Sequence, residues 1–139
     1  MILLDTSGLL AALDASEERH GPAAAALTQA VEPRILSPFV LAELDHLLAR
    51  HVSARVARIF LAEVANGAYD LAPFGAADVA RAVEVLERYA DLDLGLADAS
   101  IVVLAERHRT LNVLTLDERH FRALSGPRGR AFRLLPTDA

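Results

Sequence analysis

Ile2-Leu3-Leu4-Asp5-Thr6-Ser7-Gly8-Leu9-Leu10-Ala11-Ala12-Leu13 is the stretch on which the fold turns. Ile2-Leu3-Leu4 is an apolar run with no polar interruption, the pattern of a short strand buried on both faces. The acidic Asp5 stands directly at the carboxyl end of that strand. Ser7 to Leu13 reads as a helix, with Thr6 or Ser7 as its cap. A buried strand feeding a helix is the opening of an α/β unit.

The same grammar repeats downstream. Ser16 to Val31 reads as a second helix disturbed early by Gly21-Pro22, and Arg34-Ile35-Leu36 as a strand. Pro38 opens the next helix in its favoured first-turn position and the helix runs to about His51. Ser53 caps a further helix that stops at Asn66-Gly67. Tyr69 to Ala72 is strand-like. Ala76 to Tyr89 is helical, with Val79, Ala82, Val83, Leu86 and Ala90 at helical spacing. Leu96 to His108 is a helix that is apolar on most sides. Asn112 to Leu116 is a strand, Glu118 to Leu124 a short helix, Ser125 to Gly129 a loop and Phe132 to Leu135 the last strand. No repeat, linker or low-complexity tract interrupts the alternation. The expectation is one α/β domain over residues 1–139: a parallel sheet of four to five short strands, flanked by helices on both faces. In such sheets ligands bind beyond the carboxyl ends of the strands.

Composition narrows the chemistry. The chain has 139 residues, 53% hydrophobic and 24% charged, enough to bury a core in one domain. It has no cysteine, which removes disulfides, thiolate nucleophiles, iron–sulfur clusters and cysteine zinc sites. It has no lysine either: all 14 basic residues are arginine. That excludes a Walker-type phosphate loop and a pyridoxal Schiff base. The net charge of −5 argues against a basic nucleic-acid coat over the whole chain. The mean hydropathy of +0.29 suits a surface partly covered by a partner. The N-terminus lacks a basic leader, and the longest uncharged stretch, Gly21 to Val31, is too short to span a bilayer. The expectation is therefore a cytoplasmic protein with no membrane segment.

Four carboxylates stand where an apolar core would not put them. Asp5 and Asp117 each follow a strand, Asp98 lies among apolar residues early in the Leu96 helix, and Glu43 edges the apolar stripe of Val40, Leu41, Leu44, Leu47 and Leu48. Each has a plain structural alternative: a helix cap for Asp5 and Asp117, a dipole-favoured first-turn acid for Asp98, a solvated neighbour for Glu43. As a set they can converge on one mouth of the sheet. Carboxylates packed together repel unless cations intervene, and hard Mg²⁺ or Mn²⁺ fits such a site. A metal there would suit hydrolysis of phosphate esters. Without these four acids the charge balance is close to neutral, so a polyanion remains a plausible substrate. Arg119, His120 and Arg122, close to Asp117, are candidate contacts to backbone phosphates. Thr6, Ser7 and Thr115 are candidates to orient metal ligands and water, or else serve as caps and turns. His20, His46, His51 and His108 lack metal-ligand spacing and read as surface or packing residues. Asp45, Asp91 and Asp93 read as surface or turn carboxylates.

The ordered pattern Ile2-Leu-Leu-Asp5-Thr-Ser, Ser37-Pro-Phe-Val-Leu-Ala-Glu43-Leu, Leu96-Ala-Asp98-Ala-Ser-Ile and Leu114-Thr-Leu-Asp117-Glu-Arg-His-Phe121 resembles the PIN-domain ribonucleases, specifically the VapC toxins of bacterial toxin–antitoxin pairs. The resemblance covers essentially the whole chain. It implies a parallel sheet of strand order 3-2-1-4-5 and Mg²⁺- or Mn²⁺-dependent cleavage of RNA. It also implies Asp5 and Asp98 as direct metal ligands, with Glu43 and Asp117 completing the acidic pocket directly or through water. A homodimer and a VapB-like antitoxin that fills the groove are further implications. The implied substrates are tRNAs or the sarcin–ricin loop of ribosomal RNA, and the wording around Val40–Asp45 and Gly95–Ala99 is similar to members that cut that loop. In-line attack by water would leave 5′-phosphate and 3′-hydroxyl ends. Dehalogenase-type phosphatases and receiver domains share the first Asp but need a lysine. Flap nucleases carry helical insertions for which this chain has no room. A non-catalytic PIN-like module that binds a partner, or a nuclease for another nucleic acid, is the remaining alternative.

Overall fold

Ile2, Leu3 and Leu4 form strand β1, and each is 1% exposed, so side chains pointing to either side of the sheet are equally covered. In the computed structural model, which describes residues 1–139 throughout, β1 is the central strand of a five-stranded parallel sheet. The strands are β1 (Ile2–Leu4), β2 (Arg34–Leu36), β3 (Asp70–Leu71), β4 (Asn112–Leu114) and β5 (Arg133–Leu135), in the order β3-β2-β1-β4-β5. Leu3 pairs with Ile35 on one side and Val113 on the other. The helices are α1 (Thr6–Leu13), α2 (His20–Gln29), α3 (Pro38–His51), α4 (Ala54–Ala65), α5 (Ala76–Arg88), α6 (Leu96–His108) and α7 (Glu118–Ala123). The expected α/β class and strand order are those observed.

Helix α6 is the axis of the fold. Seven consecutive residues, Ala99 to Ala105, are buried, so the helix is apolar all round and lies against β1, α3 and α5. Helix α3 buries Val40, Leu44 and Leu48 along one stripe, with Ser37 capping its start through the Phe39 N–H. Helices α1 and α2 pack on each other.

Several boundaries differ by a residue or more from those read in the sequence, and three of the differences have a visible cause. Helix α2 starts at His20, not Ser16, because the carboxylate of Asp14 takes both the N–H and the hydroxyl of Ser16 and closes a turn there. Gly21-Pro22 then falls inside the first helical turn, where a missing N–H has no bond to break. Strand β4 ends at Leu114 instead of Leu116, because the Thr115 side chain turns into the mouth of the sheet. The residue capping α1 is Asp5, not Thr6 or Ser7, and its side chain makes no capping bond.

Helix α1 crosses β4 at a distance that only glycine allows. A Cβ on Gly8 would lie 2.5 Å from the Leu114 carbonyl oxygen and 2.7 Å from the Thr115 nitrogen, both backbone atoms with no rotamer to yield. Gly8→Ala is expected to push α1 off β4 and lower stability by about 1–3 kcal/mol. Gly75→Ser, at the N-cap of α5 and with nothing within 4 Å of its Cβ, is the control and is expected to be neutral or stabilising. Denaturant titration of both variants checks this; equal stabilities would remove the close approach as a constraint.

Candidate active site

The carboxyl ends of β1 and β4 and the first turn of α6 meet at one mouth. Asp5 leaves β1 into α1 and is 4% exposed. Its Oδ2 accepts the Ser7 hydroxyl at 2.8 Å and the Thr115 hydroxyl at 2.7 Å. The Thr6 backbone also favours the charged form of this carboxylate. Thr115 Oγ1 in turn accepts the Asp117 N–H at 2.9 Å, and Ser7 Oγ accepts the Leu116 N–H at 3.0 Å. Ser7 and Thr115 thus set the path of the chain from β4 into α7. The Thr6 hydroxyl is buried and has no hydrogen-bond partner.

Asp117 both caps α7 and faces the mouth. Its Oδ1 accepts the His120 N–H at 3.1 Å and its Oδ2 meets His120 Nδ1 at 2.8 Å. The helix-cap alternative is therefore right for Asp117, and it does not remove the carboxylate from the site. The same holds for Asp98, whose Oδ2 accepts the Gly95 N–H at 3.3 Å in the first turn of α6. One ligand atom each from Asp98, Asp117 and His120 lies within 4.8 Å of the others. Glu43 is exposed, and its charge acts on Asp98 from the side of α3.

Electrostatics shows the four acids as neighbours. Burial pushes the Asp5 carboxyl up to about 6, with the Ser7 and Thr115 hydroxyls opposing the shift and the Asp98 charge adding to it. Asp98 is also raised, chiefly by burial; the Gly95 N–H and His120 oppose this, and Asp117 and Glu43 reinforce it. Two carboxyls held partly desolvated beside two more are costly without a cation. The donor set is oxygen-rich with one imidazole and no thiolate, which fits Mg²⁺ or Mn²⁺.

The phosphate-contact candidates divide. Arg119 is exposed and forms no ion pair, and His120 joins the acidic cluster itself. Arg122 is engaged elsewhere: it clamps Asp138 through two hydrogen bonds of 2.8 and 2.7 Å and also reaches Glu118. The expectation that Arg122 contacts a substrate is therefore not supported, because the C-terminal Asp138 occupies its guanidinium. A further feature escaped the sequence reading. Ser37 and Ser100 share a buried hydrogen bond of 2.7 Å that ties the start of α3 to α6 two residues after Asp98. Its signal was a serine inside an otherwise apolar helix.

Comparison with known proteins agrees with this geometry. The PIN-domain family model matches residues 2–127. Ribonuclease VapC26 of Mycobacterium tuberculosis is 42% identical over 135 residues, covering 97% of this chain and all of that relative. The crystal structure of Mycobacterium tuberculosis VapC20, described as a sarcin–ricin loop cleaving toxin, superposes with a TM-score of 0.78 at 25% identity, over 84% of this chain and 90% of that one. The chain belongs to the PIN-domain family, among its VapC ribonucleases.

The raised Asp5 carboxyl carries a pH signature. Its folded pKa of about 6 exceeds the ordinary 3.8. The stability it contributes is therefore fully present below about pH 4 and is lost as the pH rises through about 6. The loss is on the order of 3 kcal/mol for a shift of this size. In EDTA, Asp5→Asn is expected to be more stable than the parent at pH 7 and to approach it at pH 4. Denaturant titrations across that range check this; a parallel pH dependence in both proteins would contradict it.

Proposed function

We propose that this VapC ribonuclease is a Mg²⁺- or Mn²⁺-dependent endoribonuclease toxin that cuts a structured RNA and so inhibits translation. The sarcin–ricin loop is the first candidate substrate and tRNA the second. The observation that carries the reading is the convergence of Asp98, Asp117 and His120 within 4.8 Å beside the buried Asp5. The sarcin–ricin loop is favoured by the structural likeness to a toxin described as cleaving it. A VapB-like antitoxin as inhibitor, a homodimer as the working form and a cytoplasmic location complete the proposal, on family grounds.

Asp5, Asp98 and Asp117 would hold the cation, with Glu43 completing the pocket from α3. Such an ion supplies Lewis acidity toward water and toward a phosphodiester. The chain's own residues do the positioning. Ser7 and Thr115 hold Asp5 Oδ2 with two hydroxyl hydrogens, so the carboxylate cannot rotate away from the mouth. Asp117 fixes the His120 ring through Nδ1, leaving Nε2 to face a substrate oxygen. Arg119, exposed on the same turn of α7, would pair with a backbone phosphate. Ser37 and Ser100 keep α3 and α6 in register, and with them Glu43 and Asp98.

Incubation of the protein with intact ribosomes and with total tRNA, in Mg²⁺ or Mn²⁺, tests the reading. Primer extension is expected to show one discrete cut with a 5′-phosphate end, absent in EDTA and in Asp98→Asn. Ends bearing 2′,3′-cyclic phosphate, or a cut that persists in EDTA, would overturn the mechanism. Thr115→Val is expected to weaken Mn²⁺ binding, measured by calorimetry, by about 10–100-fold while the chain stays folded. Unchanged affinity would deny Thr115 its positioning role.

A further inference from the structure

At the pole of the sheet opposite the acidic mouth lies a pocket of about 660 Å³, lined by Arg109, Arg128, Arg130, Thr110, Asn112 and Glu106 among others. It borders the start of β4, whereas the carboxylates stand beyond the end of that strand. Helix α6 spans the two: Asp98 lies in its first turn and Arg109 follows its last residue, about 16 Å of helical rise away.

The positive charge of this pocket exceeds the negative, with three arginines against one acid. The chain's ion pairs involve Arg81, Arg107, His120 and Arg122. None involves Arg109, Arg128 or Arg130. The one acid in the lining, Glu106, binds Arg81 through both oxygens at 2.7 and 3.0 Å, and Arg81 also binds Glu84 at 2.6 Å, so Glu106 offsets only part of the pocket's positive charge. Three exposed arginines thus line one concavity, and none of them forms an ion pair within the chain. Two of them sit on left-handed backbone, Arg109 at φ 53° and Arg128 at φ 59°. That conformation is adopted readily by glycine or asparagine and rarely by arginine. Residue 129, next in the same turn, is a glycine at φ 70°. Arginine at position 128 is not demanded by the turn, which points to a use for its side chain.

We propose that this pocket is a second ligand site and that it binds a compact polyphosphate, the tri- or diphosphate group of a nucleotide. Guanidiniums clustered around a concavity suit several phosphates on one small molecule. A nucleic-acid backbone spaces its charges along a line and is met by basic residues strung over a face. The volume is that of a small-molecule pocket. Thr110 and Asn112 shape its floor, the Asn112 amide donating to the Met1 carbonyl and the Thr110 hydroxyl accepting the Asn112 N–H.

Calorimetry and thermal shift on the full chain test this, with inorganic tripolyphosphate, ATP and GTP as probes. EDTA is present throughout, so that no divalent ion bridges a probe to the acidic mouth. Saturable binding of tripolyphosphate is expected, and it is expected to weaken at least tenfold in Arg128→Gly. That variant removes a guanidinium while placing at φ 59° the residue that accepts it best, so misfolding does not explain a loss. Arg109→Gln with Arg130→Gln is expected to abolish binding, and Asp98→Asn to leave it unchanged. Equal affinity for all three probes would identify the phosphates alone as the ligand; tighter binding of a nucleotide would add its base. No binding at millimolar probe, equal binding in Arg128→Gly, loss in Asp98→Asn, or saturable binding only to a single-stranded RNA oligomer would overturn the proposal.

Discussion

Two hydroxyl hydrogens directed at one carboxylate oxygen, Oδ2 of Asp5, hold the mouth of the sheet together. One comes from Ser7 on α1 and the other from Thr115 beyond β4, residues 108 positions apart in the chain. Each hydroxyl also accepts a backbone N–H of the turn that leads to α7, Ser7 from Leu116 and Thr115 from Asp117. The carboxylate that the central strand delivers therefore determines where Asp117 and His120 stand. The arrangement requires α1 to lie against the β4 backbone, which the absent Cβ of Gly8 permits. A glycine far from any chemistry thus acts on the site through packing.

The acids would repel each other apart on a soft frame. They do not, because α6 carries Asp98 on a helix buried through seven consecutive residues, and interiors packed to that degree do not yield gradually. Burial, with a smaller addition from the neighbouring acids, raises the pKa values of Asp5 and Asp98. The core, 32 buried apolar residues in one cluster, bears the cost of holding carboxyls in an environment that disfavours their charge. A divalent cation would reverse the local logic, turning repulsion among the acids into attraction toward the ion.

What the sequence could show divides along physical lines. The strands were legible because parallel strands covered on both faces read as unbroken apolar runs, as Ile2–Leu4 and Val113-Leu114 do. The acids were legible because a carboxylate at a strand end or inside an apolar helix breaks an expected pattern. The fate of single side chains was not. Asp14 closing the turn on Ser16 and Asp117 holding His120 are local contacts that the sequence reading passed over, whereas Asp138 capturing Arg122 depends on a contact that no local pattern encodes. Arg122 and Asp138 are 16 residues apart, so their pairing is a property of the folded C-terminus and not of α7. The buried Ser37–Ser100 bond spans 63 positions and is equally invisible before folding.

Net charge misleads for the same reason. At −5 the chain is acidic, yet that total describes no surface of it. Helix α6 separates the signs: Asp98 stands at the end where the helix dipole favours an anion, while Arg107, His108 and Arg109 gather at the end where it favours cations. The separation, about 16 Å, exceeds the Debye length of roughly 8 Å at physiological salt, so neither pole neutralises the other in solution. An acidic mouth suited to cations and a pocket rich in arginine are then compatible in one small domain. Each pole would meet a ligand according to its own charge, and the balance of the whole chain decides neither.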